Sequence, residues 1–397
     1  MTITMNMIQS IGLAVILLLI GKKLRAKINF FEKYCIPSPV IGGILFAIIT
    51  LILRLTGVLM FEFDTTLQTF FMTMFFTSVG FNASFKVLKK GGPKVIIFLG
   101  VATLLVVLQN AVAVGLAGVV GVHPLLALMT GSTPMTGGHG TSAAFAPTVE
   151  ALGITGATTV AVAAATFGLV SGSMMGGPVA NRLIIKHDLL NKKRASGSNI
   201  DEELVESGDS LLDGDKVAMA FFQILIAMGV GVYVSNLIAL TGLTMPGYIG
   251  SMLVAAVIRN VSDSGAFKTP DEEIGVVGDV ALNLFLAMAL MTLKLWELID
   301  LAIPMIILLV AQTVLMYLFA TYITFPIMGK DYDAAVISAG HCGFGMGATP
   351  NGVANMASVA EKYEYSSVAY FVVSLVGALF IDFTNAFTIT AFMNLFG

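Results

Sequence analysis

Two stretches of this chain carry side chains suited to holding an ion or a small polar solute. They are GSTPMTGGHGTSAAFAP at Gly131–Pro147 and SAGHCGFGMGATPNGVANM at Ser338–Met356. Each sets hydroxyls, glycines and one histidine inside otherwise strongly apolar sequence. The first offers Ser132, Thr133, Thr136, Gly137, Gly138, His139, Gly140 and Thr141. The second offers His341, Gly343, Gly345, Gly347, Thr349 and Asn351. Glycines at such positions let a ligand approach the backbone closely. The bland alternative is that they form helix-packing seams, and that each histidine only pins its turn to a backbone carbonyl. Neither histidine has a further His, Cys or acidic ligand at metal spacing. No H-E-x-x-H and no G-x-S-x-G occurs, so an intramembrane hydrolase using His139 or His341 is a remote alternative.

A second set of candidates surrounds Asp382 in FIDFTNAF. A carboxylate midway along an apolar span is a functional candidate by default. With Thr384 and Asn385 it offers the hard oxygen donors that alkali and alkaline-earth cations take. Cation coordination and binding of a substrate ammonium group are both open to it. The related region after the first stretch, TFGLVSGSMMGGP (Thr166–Pro178), is uncharged but supplies Thr166 and Ser171. Asn82 and Asn110 read as interhelical contacts. Arg54 and Lys294 read as interfacial residues, Lys294 beside Trp296, and Glu150 as an exposed loop residue. No deeply placed Arg or Lys is left for a substrate carboxylate, so backbone amides, hydroxyls and histidine must hold one.

These residues need an unusual frame. The chain of 397 residues is 57% hydrophobic and 11% charged, with mean hydropathy +0.91. A soluble protein carries roughly 25% charged residues, so this is a polytopic membrane protein. Long continuous apolar runs indicate helices, whereas a β-barrel has short alternating segments. The net charge of −3 points to no charged partner, and nothing suggests nucleic acid. Cys35 and Cys342 give no disulfide framework. MTITMNMIQS lacks a basic n-region, which reads as an uncleaved first helix. Spans are expected near 6–20, 37–60, 67–85, 94–121, 153–184, 217–241, 245–259, 274–294, 301–326 and 366–395. With both termini outside, nineteen of the 21 basic residues fall at the cytoplasmic face. Only Arg54 and Lys294 remain outside.

Residues 123–150 then start and end outside, and 331–362 start and end inside. Each arm is too short to cross a core of ~30 Å, so each should dip to the middle and return as a re-entrant hairpin. Thr349 before Pro350 reads as a helix N-cap, and Thr141-Ser142 after Gly140 as a weaker one. Both returning half-helices would present N–H groups and a positive dipole end to an anion. The polar stretch Lys186–Lys216 reads as a cytoplasmic linker between an N-terminal repeat (1–185) and a C-terminal repeat (217–397). GGPKVIIFLGVATLL resembles AIPMIILLVAQTVL, PVIGGIL resembles GYIGSML, and His139 matches His341. Five spans per half make the repeats inverted. Paired polar interruptions in two such halves mark a transporter's binding site. The fold class expected is an all-α membrane protein of two inverted five-helix repeats, each with a re-entrant hairpin.

Taken with LNLFLAMALMTLKLWEL (Leu282–Leu298), MGKDYDAAVISAGHCGFGMGATP (Met328–Pro350) and ATFGLV (Ala165–Val170), the hairpin motifs resemble the bacterial glutamate:sodium symporter family. The resemblance runs from IPSPVIGG at Ile36 to FIDFTNAF at Phe380. It implies Na⁺-coupled uptake of L-glutamate across the inner membrane, with Na⁺ as coupling ion and no other cofactor. It also implies a homodimeric, elevator-type carrier in membrane lipid, related in fold to citrate/sodium symporters. The family often has Gly where Ser142 stands and Trp where Phe145 stands, which bears on substrate fine-tuning. The nearest alternative is a carrier for another anion such as citrate, coupled to Na⁺ or H⁺. A channel is disfavoured, because hairpins entering from both faces suit alternating access.

Overall fold

The computed structural model describes residues 2–34, 36–191, 213–242, 245–298 and 301–397. Backbone in hydrocarbon must satisfy its own N–H and C=O groups, and the apolar runs do so as helices. Among the described residues, eight helices are long and apolar enough to cross a membrane. The chain is a multi-pass helical membrane protein.

Six helices form an outer frame: α1 (Met7–Lys27), α3 (Ser38–Leu55), α4 (Thr66–Phe81), α11 (Gly214–Ala239), α12 (Ile249–Asp263) and α13 (Asp271–Met291). Between them lie the short helices α2 (Asn29–Lys33) and α5 (Phe85–Lys90). The span expected at 6–20 runs on through its basic cluster to Lys27. It starts in a capping box, in which Asn6 and Gln9 accept from each other's backbone N–H at 3.0 Å. The span expected at 245–259 begins later, at Ile249, and has 15 residues. One small sheet had no forewarning in the residue pattern: β1 (Thr2–Met5) pairs in parallel with β2 (Met60–Phe63).

Glycines set the closest approaches in the frame. A Cβ on Gly21 would strike the Ser38 carbonyl, and one on Gly42 would strike the Leu17 carbonyl. The same reciprocal seam joins α11 to α12, where Gly231 backs onto Ser251 and Gly250 onto the Gly231 carbonyl. α3 packs on α13 through Gly43 and Leu290, and α4 on α12 through Gly80 and Met252. Small residues of this kind let backbones close together where lipid supplies no hydrophobic drive.

The remaining elements form an inner group: α6 (Gly92–Val120), α10 (Ala157–His187), α14 (Ala302–Phe319) and the last span. α14 continues through a π-helical turn, Ala320–Thr324, to Ile327. The last span is α17 (Ser367–Leu375), a π-helical turn (Val376–Phe380) and α18 (Ile381–Phe396). Two helical hairpins lie among them. The second has arms α15 (Tyr332–Gly345) and α16 (Thr349–Lys362). In the first, only the returning arm α9 (Gly138–Ala151) is one helix. The expected entering arm is broken into α7 (Pro124–Leu128) and α8 (Ser132–Met135).

Of the linker expected at 186–216, residues 192–212 lie outside the described residues, and its ends are taken up by α10 and α11. Arg54 and Lys294 both reach the short segment Leu295–Leu298. The Arg54 guanidinium sits 4.0 Å over the Trp296 ring, and Lys294 reaches Glu297 at 3.9 Å. Glu150 is not a free loop residue. It ends α9 and accepts from the Thr158 N–H at 2.9 Å. Burial raises the Glu297 carboxyl above the ordinary carboxylate range; Lys294 lowers it and Glu150 raises it further.

Gly231→Val should overpack the α11–α12 seam and lower stability by about 1–3 kcal/mol, read as a lower melting temperature in detergent. Gly229→Ala, whose Cβ meets nothing within 4 Å, should melt like the parent. Equal melting of the two variants would contradict the seam.

Candidate functional site

The two hairpin tips meet. Gly138, at φ 60°, opens α9 in a left-handed conformation that suits glycine. A Cβ there would lie 3.0 Å from the Gly347 carbonyl of the second tip. The turn therefore falls at Gly137–Gly138, three residues before the cap expected from Thr141-Ser142, and both of those residues lie buried inside α9. At the second tip the cap position is Ala348, so Thr349 is the first helical residue and caps nothing. Its side chain instead approaches Gly377 in the π-helical turn before Asp382.

Gln109 of α6 ties the tips together. Its Nε2 donates to the Gly345 carbonyl at 2.7 Å, and its Oε1 accepts from the Thr136 hydroxyl at 2.7 Å. Gln312 of α14 donates to the Gln109 carbonyl at 2.8 Å. All of these groups are buried.

The next residue, Asn110, holds the broken arm. Its Oδ1 accepts from the Ser132 N–H at 2.8 Å, while Asn385 of α18 donates to the Ser132 carbonyl at 3.2 Å. Backbone released where α7 ends and α8 begins is thus satisfied by two asparagines. Four polar atoms here are buried without a partner among the described residues. They are Ser132 Oγ, Thr133 Oγ1, Asn385 Oδ1 and Asn110 Nδ2. Unpaired buried polar groups are costly, so such a cluster marks a place for a ligand.

The histidines part company. His139 Nε2 lies 2.9 Å from the Thr166 hydroxyl, whose own proton goes to the Val162 carbonyl at 3.0 Å. Nε2 is therefore the donor in that contact, an assignment from the network. His341 sits behind its tip, fully buried among Phe98, Phe319 and Phe344. Its Nδ1 meets the Thr324 hydroxyl at 2.9 Å in the π-helical turn of α14. Gly343 and Gly345 lie inside α15. A Cβ on Gly343 would strike α16, and one on Gly345 would come 2.9 Å from Leu105. Both are packing glycines. Gly140 faces Leu282 and Phe75 of the frame at 3.5 Å. The Asn351 amide reaches Ser173, the Leu169 carbonyl and the Tyr34 carbonyl, and leaves its Oδ1 unpartnered. Ser171, near them on α10, is half-buried.

Asp382 lies two residues past the end of a π-helical turn (Val376–Phe380), and π turns are frequent at functional sites. Its carboxyl is part-exposed and makes no hydrogen bond or ion pair among the described residues. Thr384 turns away from Ser132, donating to the Ile381 carbonyl at 3.1 Å and facing Thr103 at 3.4 Å. Sequence reasoning passed over Gln109 and Tyr248. Tyr248 is fully buried, its ring stacked 4.0 Å from Phe76 and edge-on to Phe145. Its hydroxyl has no hydrogen-bond partner among the described residues.

Partnerless oxygens and amides at the junction of two hairpins, deep in a multi-pass membrane protein, suit the reversible holding of small ions. The chain is a secondary transporter and not an enzyme. It belongs to the sodium/glutamate symporter family, whose model matches residues 3–365. The chain is 42% identical to the sodium/glutamate symporter of Escherichia coli (strain K12), covering 96% of each chain. It is 39% identical to that of Haemophilus influenzae, covering 97% of this chain and 96% of the relative. Na⁺ is the family's coupling ion. A solved sodium proton antiporter from Methanocaldococcus jannaschii aligns over 99% of this chain and 98% of its own, with TM-score 0.43 and 14% identity. So slight a likeness carries no weight for the mechanism of this chain.

Gln109→Leu keeps the side-chain bulk but removes both bonds, leaving the Thr136 hydroxyl and the Gly345 carbonyl only their 3.4 Å contact with each other. It should cost about 1–3 kcal/mol, measured by thermal unfolding in detergent. An unchanged melting temperature would mean that the tie contributes nothing.

Proposed function

We propose that the chain carries L-glutamate into the cell together with Na⁺, by alternating access, in the bacterial inner membrane. The observation that carries this reading is the group of unpartnered oxygens on Ser132, Thr133 and Asn385. Three neutral hard oxygens suit an alkali cation, and backbone carbonyls of the broken arm are at hand to complete its shell. Asp382, one helical turn before Asn385, adds negative potential. A bound Na⁺ then lowers the cost of bringing an anion to the middle of the bilayer, and each ligand favours the other by linkage.

The substrate sits where the tips meet, among Thr136, Gly137, Gly138, His139, Gly140 and Thr141 on one side. Gly347, Thr349 and Asn351 flank it on the other. The half-helices α9 and α16 begin there, and their free N–H groups and dipoles favour its carboxylates. Arms of 14 residues reach roughly 20 Å at 1.5 Å per residue. That is short of a ~30 Å core, which supports re-entrant hairpins. Exchange of the two halves carries the Gly21–Gly42 seam onto the Gly231–Gly250 seam, and the α3–α13 contact onto α12–α4. This supports inverted repeats. In this reading both termini lie outside, and the inner group, tied through Gln109, moves as one body against the frame in an elevator-type homodimer.

Labelled L-glutamate uptake into proteoliposomes should be stimulated by an inward Na⁺ gradient. It should not respond to a proton gradient, and citrate should not replace glutamate. Asn385→Ala and Ser132→Ala should each raise the Na⁺ concentration for half-maximal uptake at least tenfold. Wild-type Na⁺ dependence in both variants would remove the site, and uptake indifferent to Na⁺ would remove the function.

A further inference from the structure

We infer that the groove between α4 and α11 of the frame is a lipid site, holding one acyl chain of a phospholipid with an ammonium headgroup, phosphatidylethanolamine. The inference stands apart from the identity of the transported solute.

The groove has a volume of about 730 Å³. Thr66, Thr69 and Thr73 of α4 line one wall, and Leu225, Met228 and Gly229 of α11 line the other. Each wall runs two helical turns, roughly 10 Å at 1.5 Å per residue. α11 is the least buried of the eight membrane-spanning helices among the described residues. A Cβ added to Gly229 would meet nothing within 4 Å, so the groove is open at its middle. The Thr73 hydroxyl donates along its own helix to the Thr69 carbonyl at 2.9 Å and asks nothing of an occupant. Walls of this kind give a water molecule too few partners, and hydrocarbon is the solvent at hand. A stable interface between two proteins buries more than about 1,000 Å², so a groove two turns long is too small to be one. It suits a single extended hydrocarbon chain.

The charges at the end of the groove select the headgroup. Asp64 is exposed, directly precedes the threonine stripe, and accepts from the Thr66 N–H at 2.9 Å. Hydrogen bonds from the Thr66 hydroxyl and N–H lower its carboxyl below the ordinary carboxylate range, so it carries a full negative charge. No Lys or Arg occurs in residues 55–85 or 217–258, which include both walls and the segments next to them. Arg54, the nearest cation along the chain, is engaged 4.0 Å over the Trp296 ring. An anionic headgroup would meet Asp64 with no compensating cation. An ammonium headgroup gains an ion pair with it.

The test uses the purified full chain in phosphatidylcholine bilayers. These contain phosphatidylethanolamine or phosphatidylglycerol as a minor component, each with the same photoreactive diazirine on its acyl chain. Labelled positions are mapped by peptide mass spectrometry after irradiation. The phosphatidylethanolamine probe should label Thr69, Thr73, Leu225 and Met228 about fivefold more than the phosphatidylglycerol probe. Gly229→Phe fills the groove and should remove this labelling while leaving that of other surfaces unchanged. Asp64→Asn, outside the helices, should bring the two probes to equal labelling, and carries the test should Gly229→Phe fail to insert. Equal labelling by both probes in the wild type, or groove labelling that survives Gly229→Phe, would overturn the site. Disulfide-linked dimers of Gly229→Cys, absent from the parent, would also overturn it by placing a second copy in the groove.

Discussion

A polar group carried into hydrocarbon must find its partner inside the protein, and two neighbouring side chains of α6 answer most of that demand. Gln109 serves the tips of both hairpins, and Asn110 serves the break in the first. Other helices take positions that complete them. α14 supplies Gln312 to the carbonyl of Gln109, and α18 supplies Asn385 to the far side of Ser132. Once these pairings are made, four of the atoms still unpaired among the described residues belong to one group, on Asn110, Ser132, Thr133 and Asn385. The rule that enforces pairing elsewhere is what makes those exceptions informative.

Much of this was legible in the residues. Unbroken apolar runs located the helices, although two of the ten spans expected, at 67–85 and 245–259, are helices of only 16 and 15 residues, and Gly-rich polar segments fall at the two helical hairpins. Local geometry was less accessible. Thr141-Ser142 has good capping chemistry, but the left-handed turn needed a glycine, and Gly138 took it. Gly343 and Gly345 look like a loop in sequence, yet with no Cβ they let α15 close on α16 and α6. Gln109 was hidden in LLVVLQNAVAV beside an asparagine that drew the eye, although an intramembrane polar pair is itself a signal. Tyr248 had none, since a buried aromatic after Pro246-Gly247 reads as packing. The π-helical turns that aim Thr324 and Asp382 follow from tertiary packing and leave no pattern in sequence.

The frame and the inner group solve different problems. Frame helices approach along glycine seams, with polar contacts such as Ser84–Asp263, Asn260 to the Ala83 carbonyl and Arg259–Asp271 near their ends. The inner group is held by side-chain hydrogen bonds around small residues, and its two hairpins have diverged. The first carries a broken arm and a histidine bonded to Thr166. The second has unbroken arms and a histidine sealed among phenylalanines. Two segments of similar composition have thus folded into hairpins of different build, one broken and open to polar contacts, the other continuous and packed on aromatic rings.

The Gln109 tie has a consequence for energetic efficiency. A carrier wastes its ion gradient when one barrier opens before the other has shut, letting Na⁺ slip through unaccompanied. Gln109 bonds both hairpin tips at once, so neither can swing away alone without stripping a buried partner from the other. In the proposed cycle the two tips therefore travel as a unit, and no leak opens by the parting of one hairpin alone. On that reading a single buried amide guards the tightness of coupling, without touching either of the solutes it keeps together.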